Sequence, residues 1–325
     1  MQKVYIIGTP YHLLISITKT IVERRIGKDV VIVSKWMSSQ SILKNAHTFF
    51  KDVFVEKEGV RVIANLLYLK IYVLQIPFLS NLVRKKIKNQ EKWFREKEIY
   101  IFNDNFFYGC LLNSLEIEYN LIEDGLNCYE MERDVILIDI KKRHKTYRLL
   151  NFSWGCYGFS KHTKSIEVND ASRITIKHPN IIECSREQMF RNLKDSEIDS
   201  IARMFNYQPL NIPPLQEVSL LLTQPLSEDK VVSHAQKIKI YKYLVSKYNI
   251  GTLCIKVHPR DKDDYLKIFP NAIILGASEI PFEVYLLKEK FHFRRVFSTF
   301  TTLMDAIFCA DEKIQMGMDW VLNFK

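Results

Sequence analysis

The sequence predicts an α/β protein built from two doubly wound, Rossmann-like domains. Three observations carry that expectation. Short β-rich apolar runs alternate with longer helix-spaced runs in the N-terminal half. The alternation resumes after adjacent prolines near residue 211. A chain of 325 residues also exceeds what one ordinary domain holds, at roughly 100 to 200 residues each.

Taken in order, "KVYIIG" (3–8) reads as a first strand ending at Gly8, "YHLLISITKTIVERR" (11–25) as a helix and "DVVIVS" (29–34) as a second strand. Strand, helix, strand in that order implies a parallel sheet. "EIYIFND" (98–104) and "IEYNLIED" (117–124) are further strands with "NFFYGCLLNSL" as their crossover, and "DVILIDI" (134–140) reads as a hairpin or edge strand. "NIPPLQ" (211–216) suits an extended linker. Beyond it come "EVSLLLTQ" (217–224), a helix over 230–248, "TLCIKVHP" (252–259), "NAIILG" (271–276), a helix from 281, "RRVFST" (294–299), a helix from 301 and "KIQMG" (313–317). The expected domains are therefore 1–210 and 211–325.

With 47% hydrophobic and 12% aromatic residues, and no Pro, Gly or Ser tract, the chain can bury substantial cores and is not a disordered one. The six cysteines are scattered, without a metal-knuckle or redox spacing, and read as reduced thiols of a cytoplasmic protein. In "MQKVYIIGTPYHLL", Gly8, Thr9 and Pro10 interrupt the apolar run too early for a secretory signal, so it is expected as a strand and turn. The charge of +10 favours an anionic partner: a nucleic acid, an acidic membrane or a phosphorylated substrate. Much of the surplus lies in "LVRKKIKNQEKWFREK" (82–97), directly after the apolar stretch 62–83. Lys70, Asn65, Gln75, Asn81 and Pro77 argue against a bilayer span there. The insertion 62–97 is then either a surface docked in the plane of an anionic leaflet or a buried hairpin followed by a solvated basic helix.

The unusual polar residues fall at the carboxyl ends of the expected strands, where open α/β sheets bind ligands. They are Gly8-Thr9-Pro10, Asp104-Asn105 and Glu123-Asp124-Gly125 in the first domain, and Gln224-Pro225, His258-Pro259-Arg260 and Ser298-Thr299 in the second. All are expected to face one interdomain cleft. Lys256, His258 and Arg260 would form a cationic spot for a phosphate, with the imidazole able to donate a proton, or else a capped strand end with solvated charges. His178-Pro179 is a second such dipeptide and carries no assigned role. Ser298, Thr299, Thr301 and Thr302 exceed what capping one helix requires, so a phosphate at the helix start is the functional expectation. Adjacent carboxylates on an extended chain point opposite ways, and Asp124 is taken as the inward-facing general base, with Gly125 permitting a tight turn, the alternative being an ordinary Asp-Gly turn. Glu228 and Asp229 compete for that role, although acidic residues before a helix are routine cap partners. "DKDDY" (261–265) has the look of a divalent-metal motif but sits at a helix start, where capping is expected. Walker, G-x-G-x-x-G, H-E-x-x-H and G-x-S-x-G motifs are all missing, which leaves a metal-independent reaction on a phosphate-bearing donor.

An E-D-G after an N-terminal strand, a K-x-H-P-R after a C-terminal strand and a later S-T-x-T-T together resemble the bacterial sialyltransferases. With "GTPYHLL", "QPLSED" and "IPFE" the chain is most similar to the lipooligosaccharide sialyltransferases of glycosyltransferase family 52. The resemblance covers most of the chain in order. It implies a GT-B-type enzyme that uses CMP-sialic acid and no metal or other cofactor. Asp124 would deprotonate an acceptor hydroxyl and His258 would meet or protonate the leaving CMP phosphate. Ser298 and Thr299 would hold that phosphate, Glu283 would lie near the ribose or cytosine, and Tyr11 and His12 would belong to the cleft wall, or else His12 begins a helix and packs. Asp229 or Glu228 would replace Asp124 if the base follows the first strand of the second domain. The acceptor would be a glycan, built on a lipid carrier at the cytoplasmic face of the membrane, as in capsule or lipooligosaccharide synthesis.

Other classes remain open. They are a transferase for a different nucleotide sugar, a non-catalytic basic protein bound to nucleic acid or membrane, and a scaffold of surface-glycan assembly. Strand-end carboxylates are unsuited to a nucleic-acid backbone, so no nucleic-acid partner is expected. Acceptor sugar, linkage, the extent of sialylation and the choice between monomer and homodimer are not written in these motifs.

Overall fold

A computed structural model describes residues 1–34, 37, 40–56, 91–104, 107–124, 158–174, 180–209, 217–275, 280–289, 291–301 and 303–324. These form two compact units, Met1–Leu193 and Lys194–Lys325. The expected strand at 134–140, the linker 211–216, positions 62–90 of the insertion, and Asn105, Gly125, His178 and Thr302 lie outside the described residues.

The first unit runs β1 (Gln2–Ile7), α1 (Pro10–Val22), β2 (Val30–Val33), α2 (Gln40–Ala46), β3 (Asp52–Val55), β4 (Lys97–Ile101), α3 (Phe107–Ser114), β5 (Tyr119–Ile122), β6 (Thr163–Val168), β7 (Ile181–Glu183) and α4 (Arg186–Arg191). Its seven strands are all parallel, in the order β3-β2-β1-β4-β5-β6-β7. The order reverses between β1 and β4, and a doubly wound sheet opens a crevice beyond the carboxyl ends at such a point. Gly8 and Phe102–Asp104 lie there.

Helix α1 begins where the chain dictates: Thr9 caps it by accepting from the His12 amide (3.1 Å), and Pro10 occupies the first turn, where its missing N–H costs nothing. It is buried from His12 to Ile21, and three of its polar side chains find partners within the fold. Ser16 donates to the His12 carbonyl (2.8 Å) and Thr18 to that of Leu14 (2.9 Å). The buried Lys19 ammonium pairs with Glu167 of β6 (2.7 Å), tying the helix to the far half of the sheet.

The second unit runs α5 (Asp195–Met204), β8 (Val218–Leu222), α6 (His234–Tyr248), β9 (Thr252–Lys256), α7 (Tyr265–Ile268), β10 (Ile273–Ile274), α8 (Phe282–Glu289), β11 (Phe293–Ser298), α9 (Leu303–Ala306), β12 (Ala310–Gln315) and α10 (Met318–Leu322). Its five parallel strands follow the order β10-β9-β8-β11-β12, with the switch point between β8 and β11. Leu220, Leu222 and Val296 pack on one face against Phe282, Tyr285 and Leu286 of α8. Leu221, Ile255 and Phe297 pack on the other against Ile240, Tyr241 and Leu244 of α6. Burial on both faces explains why these strands read as continuous apolar runs.

Two expectations are corrected. The first sheet also contains β3, β6 and β7, which are three to six residues long and carry charged or exposed positions, so they lack a continuous apolar signal. The units part at Leu193/Lys194 and not at 210/211, because α5 packs on α8 and Lys288 reaches Asp199 (2.6 Å).

Gly109 in α3 lets the helix lie directly on the chain leaving β4: a Cβ there would fall 1.9 Å from the Asp104 carbonyl oxygen. Gly109→Ala is expected to destabilise the first unit by about 1–3 kcal/mol, as overpacking against backbone does. An unchanged urea midpoint would show that α3 is not seated on Asp104.

Candidate active site

At the carboxyl ends of the first sheet, the Gly8 amide donates to His12 Nδ1 (3.1 Å). The imidazole is buried at 3% exposure and stacks flat on Phe102, which follows β4, with centroids 4.2 Å apart at 6°. Across that stack, Nε2 lies 3.0 Å from Oδ1 of Asp124, which follows β5. Asp124 is 36% exposed. Its neighbour Glu123 turns into the protein, where its Oε2 accepts the Asn169 amide (2.6 Å). Tyr11 is half-buried beside His12. Arg186, buried at the start of α4, is within electrostatic reach of Tyr11 and Glu123. Asp104 has a structural role, accepting Tyr119 Oη–H (3.0 Å) and the Gly158 amide (3.0 Å).

In the second unit, Thr223 at the end of β8 accepts the His258 amide on its hydroxyl (3.0 Å), which couples the ends of β8 and β9. Gln224 is fixed through its backbone, donating to the Tyr241 hydroxyl (2.6 Å) and accepting from it (3.0 Å). His258 Nδ1 accepts the Arg260 amide (3.1 Å), so in the neutral ring the proton sits on Nε2. Partial burial, then the Arg260 charge, hold the imidazole below its ordinary pKa, which makes that neutral form the resting one. Arg260 is ion-paired with Asp229, and Pro259, between His258 and Arg260 in the chain, is exposed.

The expected cationic spot is weaker than its sequence suggests. Arg260 is matched by Asp229, and Lys256 is buried with its Nζ on the Val257 carbonyl (3.2 Å). Burial lowers the Lys256 pKa, opposed by Glu283. Glu283, 5% exposed at the start of α8, is pushed up to about 7 by burial, opposed by its backbone contact and by Lys256.

The hydroxyl series is also reassigned in part. Ser298, fully buried, donates to the Leu222 carbonyl (2.9 Å) and clasps β11 to β8, so its proton is not offered to a ligand. Thr299 is buried as well, and its carbonyl accepts the amides of Met316 (3.1 Å) and Gly317 (2.8 Å). Thr301 caps α9 by accepting the Leu303 amide (3.2 Å). That helix is only Leu303–Ala306, too short to present a strong terminal field.

Glu228, Asp261 and Asp263 converge, but on a lysine. The fully buried Lys237 Nζ of α6 lies 3.0, 2.6 and 2.9 Å from them, filling the position a cation would need. Burial opposes ionisation of Glu228, yet its backbone contact, Lys237 and the Lys262 amide bring it down to about 2, too acidic for a general base at neutral pH.

Sequence reasoning named His12 and Asp124 separately but had no signal for their contact, because the residues are 112 positions apart. Lys237 left a trace: it opens the buried stripe Lys237, Ile240, Tyr241, Leu244 of α6, at the spacing of a core-facing helix surface.

Residues 36–314 match the profile of Glycosyltransferase family 52. The chain belongs to glycosyltransferase family 52. An uncharacterised protein of Haemophilus influenzae is 28% identical over 231 residues, covering 68% of this family member and 67% of the relative. In fold it is similar to the α/β-galactoside α-2,3-sialyltransferase of Photobacterium phosphoreum, with a TM-score of 0.58, 14% identity, and 96% and 89% of the two chains covered. The 2,6-sialyltransferase of Photobacterium sp. JT-ISH-224, solved with CMP and lactose, superposes with a TM-score of 0.54 at 11% identity, covering 97% and 71%. The two doubly wound domains of this family 52 protein are of the GT-B fold class. Among its described residues no helix is long and apolar enough to cross a membrane.

Glu283 yields a signed pH effect. Its folded-state pKa of about 7 lies above the ordinary 4.5, so the native state retains a proton that the unfolded chain releases. The stability from that proton is present below pH 4.5 and lost as pH rises to 7. Glu283→Gln should therefore gain on wild type across that window, by up to about 3 kcal/mol above it. A pH-independent difference in melting temperature would contradict this.

Proposed function

We propose that this family 52 protein transfers sialic acid from CMP-sialic acid to a hydroxyl of a terminal sugar on a bacterial surface glycan, without a metal ion. His258 carries the reading. A neutral imidazole whose Nδ1 is occupied by a backbone amide, at the carboxyl end of β9, presents an Nε2–H donor suited to a phosphate oxygen. A bound phosphate stabilises the charged ring, so the His258 pKa rises on binding and the proton becomes transferable to CMP as it leaves. Thr223 sets the His258 backbone, while Glu283 and Lys256 supply buried polar groups for the nucleoside.

Asp124 is the proposed base. The acceptor O–H gives its proton to the carboxylate, the acceptor oxygen bonds to the anomeric carbon of the sialyl group, and the bond from that carbon to the CMP phosphate oxygen breaks, its electron pair leaving with CMP. Asp229 is the weaker candidate because its carboxylate is already engaged by the Arg260 guanidinium. Support for the donor comes from family membership together with the His258 site.

CMP at about 100 times its dissociation constant should stabilise the protein by roughly 2.7 kcal/mol in thermal unfolding, UDP should not, and His258→Ala should abolish the effect. Asp124→Asn should lower kcat by about 10²- to 10⁴-fold, and Asp229→Asn by much less. Equal protection by UDP would refute the donor assignment, and the reverse kinetic order would move the base to Asp229.

A further inference from the structure

The fold uses only one nitrogen of the buried His12 ring. Nδ1 takes the Gly8 amide, so in the neutral imidazole the proton is on Nε2. Nε2 is shielded from solvent and makes no aligned hydrogen bond, although Asp124 Oδ1 is 3.0 Å away. A buried donor without an aligned acceptor is costly and is seldom kept without a use. The ring itself cannot turn to relieve this. The flat stack on Phe102 fixes its plane, the Gly8 amide fixes its rotation, and Thr9 fixes its backbone at the helix cap. The adjustable partner is Asp124, whose carboxylate is partly exposed beyond β5.

We propose that His12 is the positioning residue for Asp124. When an acceptor hydroxyl engages the carboxylate, Nε2–H aligns on Oδ1 and leaves Oδ2 directed at the incoming O–H. His12 donates this hydrogen bond throughout, and the acceptor proton goes to Oδ2. Such bonds are often misaligned in the free protein and tighten only in the reactive complex. The strand order makes the arrangement possible: β1 and β5 flank β4, so a histidine just after β1 reaches an aspartate just after β5 across Phe102. The inference rests on Asp124 being the base, as proposed above.

The test is a double-substitution cycle. His12→Phe keeps a flat ring against Phe102 and removes the donor, while His12→Gln restores an amide donor near the Nε2 position. With CMP-sialic acid as donor and lactose as probe acceptor, His12→Phe should lower kcat by about 10- to 100-fold with the donor KM unchanged. His12→Gln should recover part of that loss. In an Asp124→Asn background, His12→Phe should cause no further loss; a full, multiplicative loss there would overturn the proposal. If His12→Phe does not fold, the same comparison is made with His12→Gln, whose smaller loss should likewise vanish beside Asp124→Asn. If wild type does not turn over CMP-sialic acid, the donor assignment fails separately. The contact is then read at fixed pH from the imidazole nitrogens of histidine-labelled protein. The Nε2–H resonance should shift in Asp124→Asn, and an unmoved resonance would overturn the pairing.

Discussion

The Lys237 ammonium holds the second unit's strand-end loops in place. It rises from the buried face of α6 and meets Glu228 from the loop after β8 and Asp261 and Asp263 from the loop after β9. Asp261 is held on its other oxygen by the Tyr265 hydroxyl (2.7 Å) and donates order to the turn through the His258 carbonyl, which accepts the Asp261 amide (2.9 Å). A buried charge is tolerated only when its partners are fixed. The same requirement therefore sets the turn that carries His258 and places Asp229 against Arg260. Without the ammonium, three carboxylates would repel one another beneath the site.

The first unit solves a related problem with a ring and not a charge. Parallel strands buried on both faces leave their polar chemistry to the carboxyl ends, where the backbone itself must be satisfied. Gly8 and Thr9 meet that need through His12 and the α1 cap, and the stack on Phe102 carries the imidazole toward Asp124. In both units a histidine takes a backbone amide on Nδ1 and keeps its proton on Nε2. One of these rings is buried beside a carboxylate, and the other is half-buried beside an arginine.

Much of this was legible from residue order. The runs "VYII", "VVIV", "LLL" and "LCI" are apolar without interruption because both faces of those strands are covered, and the polar groups that end them mark the loops of interest. The strands Asp52–Val55, Thr163–Val168 and Ile181–Glu183 were not legible, since edge and near-edge strands carry charges and lose the pattern. Ser298 shows a different limit. Its residue type suits phosphate binding and strand clasping equally, and only its bond to the Leu222 carbonyl separates the two. The cluster at Glu228, Asp261 and Asp263 had the composition of a metal site, yet a lysine 24 positions before Asp261 fills it.

The proposed donor is a CMP-linked sugar acid. The most direct measurement is CMP release from CMP-sialic acid by the purified protein, followed with and without a galactoside acceptor and in the presence of a chelator, against parallel reactions with UDP- and GDP-sugars. The expected result is CMP release that the chelator does not suppress and that the acceptor accelerates. An intact CMP-sialic acid alongside turnover of a UDP- or GDP-sugar would contradict it.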